Sequence, residues 1–397
     1  MMEHALSDLR VLDLTSGIAG PYGSQLLAGL GADVVKVEPP GTGDRTRQEG
    51  PFPGDHPNSE ASGLFLYLNA GKRSVTLDLT KPTGRALLDR LIARSDMMLL
   101  DFAPQVVNDL GLDYRDLAAK WPDKVIVAIT AFGLDGPYCD YQADEIVIQA
   151  LSGLMDMTGD PAREPLQVGV PLAQYATGAT VFAAALTARY HQVLTGEGQL
   201  VDISLLESLT AIMEHSPVTW AYRRVVRKRT GNWGGPAAWG IYPCKDGHVG
   251  VISGLGESYQ RFLDLVGPPL TDEKFRPFGA RAHYADEINA ALFAWLTDKG
   301  REEVYHLAQA HRLPFSYVCD AQDVLRSPQL TAREYFATVE HPVAGRVTYP
   351  GAPFRLGETP WQNHRAPLLG EHNEAVYVEE LGVSQEELVR LRQAAVI

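Results

Sequence analysis

Cysteine is scarce in this chain of 397 residues: Cys139, Cys244 and Cys319 lie far apart and never in C-x-x-C spacing. That excludes a disulfide framework and a cysteine-rich zinc site, leaving reduced, mostly buried thiols as the ordinary reading. Metal-binding histidine patterns are missing too. None of the 11 histidines forms H-E-x-x-H, so no metal is expected. No apolar run reaches the length of a membrane span, and the opening MMEHALSDLR lacks the basic and apolar blocks of a signal peptide. The expectation is a cytoplasmic protein that meets no membrane. Positive charge is also short. Against 49 acidic side chains stand 35 basic ones, a net charge of −14. A field of that sign repels phosphate backbones, which excludes nucleic acid as a general partner. A small anionic ligand would need a local basic cluster, and Arg223, Arg224, Arg227, Lys228 and Arg229 supply the one evident run. Serine-hydrolase chemistry lacks its elbow, because Ser152 has no leading glycine and sits in a helical pattern.

What is present points to a folded chain of more than one domain. Hydrophobic residues make up 45%, too many for disorder, and the length exceeds what one core usually serves. Apolar runs at 11–14, 33–37, 74–79, 96–100 and 124–128 read as strands, with helical spacing at 21–30 and 83–94 between them. Strand and helix in alternation predict a parallel sheet covered by helices. Gly17, Gly20 and Gly23 fall between the first strand and the first helix, where a dinucleotide fold offers N–H groups to a pyrophosphate. Their spacing is not G-x-G-x-x-G, so a tight turn is the simpler role. Small residues at 176–180 predict a helix closely packed between neighbours. The stretch 209–240 changes composition, and 240–325 carries a hairpin around Lys245-Asp246-Gly247 followed by helices at 257–266 and 285–298. Trp220, Trp233, Trp239 and Tyr242 read either as an aromatic acid pocket or as packing.

Several segments in collinear order resemble the family III CoA-transferases, which include formyl-CoA and carnitine CoA-transferases and related acyl-CoA racemases. They are Val11-Leu12-Asp13-Leu14 with Ala19-Gly20-Pro21, the run 30–38, Asn69 with Lys72-Arg73-Ser74-Val75, and Phe132-Gly133 with Gly136-Pro137-Tyr138. Thr195-Gly196-Glu197-Gly198-Gln199 and the run 366–373 complete the set. The resemblance implies an α/β fold: a Rossmann-like large domain with a parallel sheet, a smaller α+β domain, and an interlocked-ring dimer. The expected boundaries are 1–205 for the first part of the large domain, 206–240 for a linker and 241–326 for the small domain. A second linker would run over 327–365, and 366–397 would return to the large domain.

The resemblance also implies chemistry. In active members an aspartate attacks the acyl-CoA thioester, the mixed anhydride becomes an aspartyl-CoA thioester, and an acceptor carboxylate collects the CoA. No cofactor is bound permanently, because acyl-CoA is a substrate. The family's G-D-x-x-T-G pattern matches 171–178, and Gln174 stands at the aspartate position. An amide is no carboxylate nucleophile, though it can donate a hydrogen bond to a thioester oxygen. Ala19, Gly20, Lys72, Arg73 and Phe102 are the positions implied to bind CoA. Asp101, Asp109 and Pro39 depart from the asparagine and the two cations usual around that site. The leading expectation is a subunit without the nucleophile, paired with an aspartate-bearing paralogue as in the succinyl-CoA:benzylsuccinate enzymes. A second is an active homodimer with a relocated carboxylate, Glu145 or its neighbour Asp144. A third is a non-catalytic acyl-CoA-binding scaffold.

Overall fold

The computed structural model describes residues 4–213, 215–277 and 279–397. Met1–Glu3 of the opening stretch, Glu214 in the expected first linker and Phe278 in the expected small domain lie outside the described residues. The chain forms two compact units, one of Met1–Leu154, Gln167–Arg224 and Arg333–Ile397, the other of Met155–Leu166 and Val225–Ala332.

In the first unit six parallel strands form one sheet in the order β3-β2-β1-β4-β5-β6. They are β1 Arg10–Asp13, β2 Asp33–Glu38, β3 Arg73–Thr76, β4 Met97–Leu100, β5 Val125–Thr130 and β6 Gln199–Ser204. Every residue of β4 and β5 is buried, which is why these runs are apolar without alternation: both faces are covered. On one face Leu12, Met98 and Ile126 pack with Leu87, Leu88 and Tyr377. On the other, Val11, Leu99 and Val127 pack with Leu27, Val181 and Ala185. Successive side chains therefore enter different cores, as the two-residue period of a strand requires. The first five strands match the expected runs closely. The sixth is not among those apolar runs, and its first four residues are only partly buried or exposed.

Helix Ala19–Gly29 and the long helix Leu172–Thr195 lie against each other on one face of the sheet. Their approach is set by two glycines. A Cβ on Gly23 would come within 2.6 Å of Val181, and one on Gly178 within 2.7 Å of the Ala19 carbonyl oxygen. Of the small-residue run at 176–180, Thr177 and Gly178 are buried in this contact, while Ala179 and Thr180 are exposed. The last segment of the chain returns to the β3 edge. Asn373 Oδ1 accepts from Thr76 N at 2.8 Å, and the Tyr377 hydroxyl donates to the Thr76 carbonyl at 2.9 Å. The stretch 206–240 contains helix His215–Arg223 and most of helix Leu205–Ala211. The stretch 327–365 contains an antiparallel hairpin, β10 Phe336–His341 with β11 Gly345–Pro350.

The second unit is built on a three-stranded antiparallel sheet of β7 Trp239–Cys244, β8 Gly247–Ile252 and β9 Ser316–Tyr317. Helices Glu257–Val266 and Ala285–Leu296 bury Phe262, Leu263 and Leu292 with Tyr242, Val249 and Phe315. Trp233 meets the Tyr242 ring edge-on, and the Tyr242 hydroxyl donates to Asn289, so these aromatics serve packing. Arg229 is tied to Asp156 and to the carbonyls of Asp156, Asp160 and Arg163, which makes part of the basic run structural. Among the described residues no helix is long and apolar enough to cross a membrane, and no cluster could hold a metal ion.

Candidate active site

Two openings lie where the chain leaves the carboxyl ends of the parallel strands. The larger is a cleft of about 500 Å³ over β1, β2 and β3, walled by Leu14, Pro39, Pro40, Leu77, Leu79 and Phe102. The smaller is a cavity of about 350 Å³ over β1, β4, β5 and β6, lined among others by Ser16, Arg45, Asp101, Tyr141 and Gln174. Ser16 and Phe102 border both. In a doubly wound sheet of this order the strand sequence reverses between β1 and β4, and that switch point is where such folds bind ligands.

A buried charge network fixes the loop that separates the openings. Asp13, at the end of β1, accepts from Thr15 N, Thr15 Oγ1, Ser24 Oγ and Lys72 Nζ. Burial alone would raise its pKa, but Lys36, Lys72 and the two hydroxyls outweigh that and hold it well below the usual carboxylate range. Burial pushes the Lys72 ammonium down to about 8 although Asp13 opposes it. Lys36 Nζ meets Asp44 at 2.7 Å and donates to the Thr15 carbonyl at 2.8 Å. Arg47 is fully buried between Glu38 and Glu60. At the rim, Lys81 Nζ faces Asp78 and donates to the carbonyls of Ala394 and Ala395 at 2.7 and 2.8 Å. The cations beside the cleft are therefore already committed to partners within the chain.

The residues singled out from the sequence do not all converge here. Gln174, in the first turn of the long helix, and Ala19 both line the smaller cavity. Phe102 borders both openings and is set by its carbonyl, which accepts the Tyr114 hydroxyl at 2.8 Å. Gly20 lies buried one residue into its helix, where a Cβ would come within 2.3 Å of Thr15. Lys72 does not face either opening; its charge is spent on Asp13, Asn69 and the Pro21 carbonyl. Arg73 is displaced further. It opens β3 and pairs with Asp33 at the start of β2 and with Glu380, at the far end of the sheet from the cleft. Pro39 does wall the cleft, whereas Asp109 lines neither opening and accepts from Gln105.

Glu145 has a different task from the one expected of a relocated nucleophile. Its Oε1 accepts from Ala173 N at 2.8 Å and from Gln149 Nε2 at 2.7 Å, and its Oε2 accepts from Gln174 N at 3.2 Å. The carboxylate thus caps the amino end of the long helix, where the helix dipole favours a negative charge. Asp144 caps the helix Glu145–Leu151 through the Glu145 N–H. Neither lines the cavity.

Asp101 does. Its Oδ2 accepts from Ser16 N at 2.8 Å, and its Oδ1 takes no hydrogen bond among the described residues. Burial pushes this carboxyl up to about 7, against the pull of the Ser16 N–H and Lys36 and with the added push of Asp13 and Asp44. A half-buried, half-satisfied carboxyl in a cavity has the attributes of a chemically active group. From sequence Asp101 registers only as an extra charge near CoA. Arg45 carries no sequence signal at all, and it enters the cavity from the turn Arg45–Gln48 that Asp44 caps.

Comparison with known proteins is consistent along the whole chain. The model of CoA-transferase family III matches residues 6–373. Succinyl-CoA–D-citramalate CoA-transferase of Chloroflexus aurantiacus is 31% identical over 397 residues, spanning 99% of this chain and 98% of that one. Succinyl-CoA:(R)-benzylsuccinate CoA-transferase subunit BbsE of Thauera aromatica is 31% identical, with 95% of each chain covered. Among solved structures, a CAIB/BAIF family protein from Brucella suis superposes with a TM-score of 0.84 at 30% identity, covering 95% of this chain and 99% of that one.

Proposed function

Because the chain belongs to CoA-transferase family III, we propose that it is the subunit of a heteromeric enzyme that keeps the scaffold and lacks the nucleophile. The reaction moves CoA between an acyl-CoA such as succinyl-CoA and a carboxylic acid. The observation that carries the reading is Gln174, an amide on the wall of the smaller cavity where the resemblance calls for an aspartate. An amide forms no acyl anhydride, but its N–H can still meet a thioester oxygen. The relative BbsE is itself described as a subunit, which supports a divided enzyme. The cleft's apolar walls suit an adenine, with Phe102 placed to stack on it, and its paired cations leave the CoA phosphates poorly neutralised. This chain and its aspartate-bearing paralogue would thread together as interlocked rings. Purified alone, the chain should transfer no CoA and form no covalent CoA adduct; mixed with the paralogue, it should support turnover. Robust turnover by the lone chain overturns the reading. Silence of the mixture, with acyl-CoA still bound, favours a scaffold.

A second reading, an active homodimer, is favoured by Asp101. Its carboxylate would attack the thioester carbonyl and expel CoA thiolate, giving a mixed anhydride. The thiolate would then attack the aspartyl carbonyl, releasing the donor acid and leaving CoA on Asp101, from which the acceptor acid collects it by the reverse steps. Hydroxylamine trapping after succinyl-CoA addition, with peptide mass mapping, distinguishes the two. A label on Asp101 that survives Glu145→Gln and disappears in Asp101→Asn supports the homodimer, and an unlabelled chain supports the subunit.

A further inference from the structure

We propose that Arg45 anchors a carboxylate of the acid substrate in the smaller cavity, so that this chain takes part in acid recognition; the proposal rests on the CoA-transferase reading. Among the described residues the Arg45 guanidinium pairs with no carboxylate, although the chain carries 49 acids to 35 bases. Its neighbour Arg47 shows the alternative, being buried between Glu38 and Glu60. Arg45 is exposed yet held. Its backbone N–H donates to Ser16 Oγ at 3.3 Å, and Asp44, which accepts from Thr46 N at 2.8 Å, also accepts from Gly17 N at 3.3 Å. The turn at 45 and the loop at 16–17 are thereby fastened to each other. The guanidinium lies directly on Gly17, at φ +84°, where a Cβ would come within 2.3 Å of Nη2. A glycine there leaves room for the fork.

Around the guanidinium the cavity offers what a small acid requires. Ile129, Ala131 and Leu205 give apolar wall for a short carbon chain, and Gln174 supplies an amide. A planar guanidinium grips a carboxylate through two parallel N–H bonds, which a neutral or singly bonded group cannot match. A carboxylate so gripped is a poor nucleophile toward a thioester. The one that Arg45 holds is therefore the spare carboxylate of a dicarboxylic acid, whose other end reacts. A CoA phosphate is the competing anion for Arg45. It is disfavoured because Arg45 lines the cavity and not the cleft, which has the longer apolar wall.

The test is calorimetric titration of the full-length chain with succinate, with butyrate (same carbon length, one carboxylate) and with ADP. The parent should bind succinate more tightly than butyrate. Arg45→Gln should lose about tenfold or more in succinate affinity and leave ADP unchanged, while Arg45→Lys retains part of the succinate binding. In the enzyme reconstituted with the paralogue, Arg45→Gln should raise the KM for the diacid about tenfold with little change in kcat or in the KM for the CoA donor. Equal affinity of the parent for succinate and butyrate overturns the proposal, as does undetectable succinate binding, an unaffected variant, or a loss confined to ADP. A mixture that stays silent while succinate binding depends on Arg45 overturns only the subunit reading. A mixture that turns over with no Arg45 effect overturns only this inference.

Discussion

Asp13 ends β1 and Asp101 follows β4, neighbouring strands of one sheet, and their surroundings drive them in opposite directions. Asp13 has two lysines and two hydroxyls turned toward it, so its folded pKa lies below the ordinary 3.8. The stability it contributes is present above that value and is lost as the pH falls below it. Asp101 has one backbone N–H and is pushed from 3.8 up to about 7. Between those two values the folded chain holds a proton that the unfolded chain releases, so its contribution makes stability fall as the pH rises. Asp101→Asn, which keeps an oxygen for the Ser16 N–H, should therefore unfold at higher urea than the parent near pH 8. The gap should close at about pH 4 and below. Coincident midpoints near pH 8 would mean that Asp101 ionises without penalty. A carboxyl that costs its fold stability at neutral pH is the kind of group kept for chemistry or binding.

At the scale of elements, the long helix Leu172–Thr195 starts after Pro171 with no side-chain cap of its own, and Glu145 closes it from another helix. Glu145→Ala strands two helix N–H groups and removes the shorter partner of the Gln149 amide, and should lower unfolding free energy by about 1–3 kcal/mol in urea titration. Glu145→Gln should recover most of that loss, since an amide oxygen still accepts; equal losses in the two variants would mean that the charge itself is what matters. The strands were legible because β4 and β5 are buried on both faces and so spell unbroken apolar runs. β6 was not, because its first four residues are only partly buried or exposed and lack that signature. Of the residues that line the smaller cavity, Gln174, Ala19 and Phe102 are ones the resemblance singles out. The roles of Glu145 and Asp101 depend on contacts spanning 28 and 85 residues, separations over which periodicity carries no information. Lys72 and Arg73 stand side by side in sequence as a basic pair, and the fold gives each its own acid, Asp13 and Asp33.

At the scale of the whole molecule, the acid excess and the spent cations act together. Nucleic acid is excluded by the net charge of −14, and around the cleft Lys36, Arg47 and Lys81 are neutralised internally. A polyanionic ligand approaching the cleft meets cations that already have partners within the chain. The tail is stitched to β3 through Asn373 and Tyr377. Ala395 lines the same cleft as Leu14, and the Asp78 N–H donates to the Val396 carbonyl. During synthesis the amino-terminal strands leave the ribosome long before residue 395, so a growing polypeptide carries this cleft without the wall that Ala395 supplies.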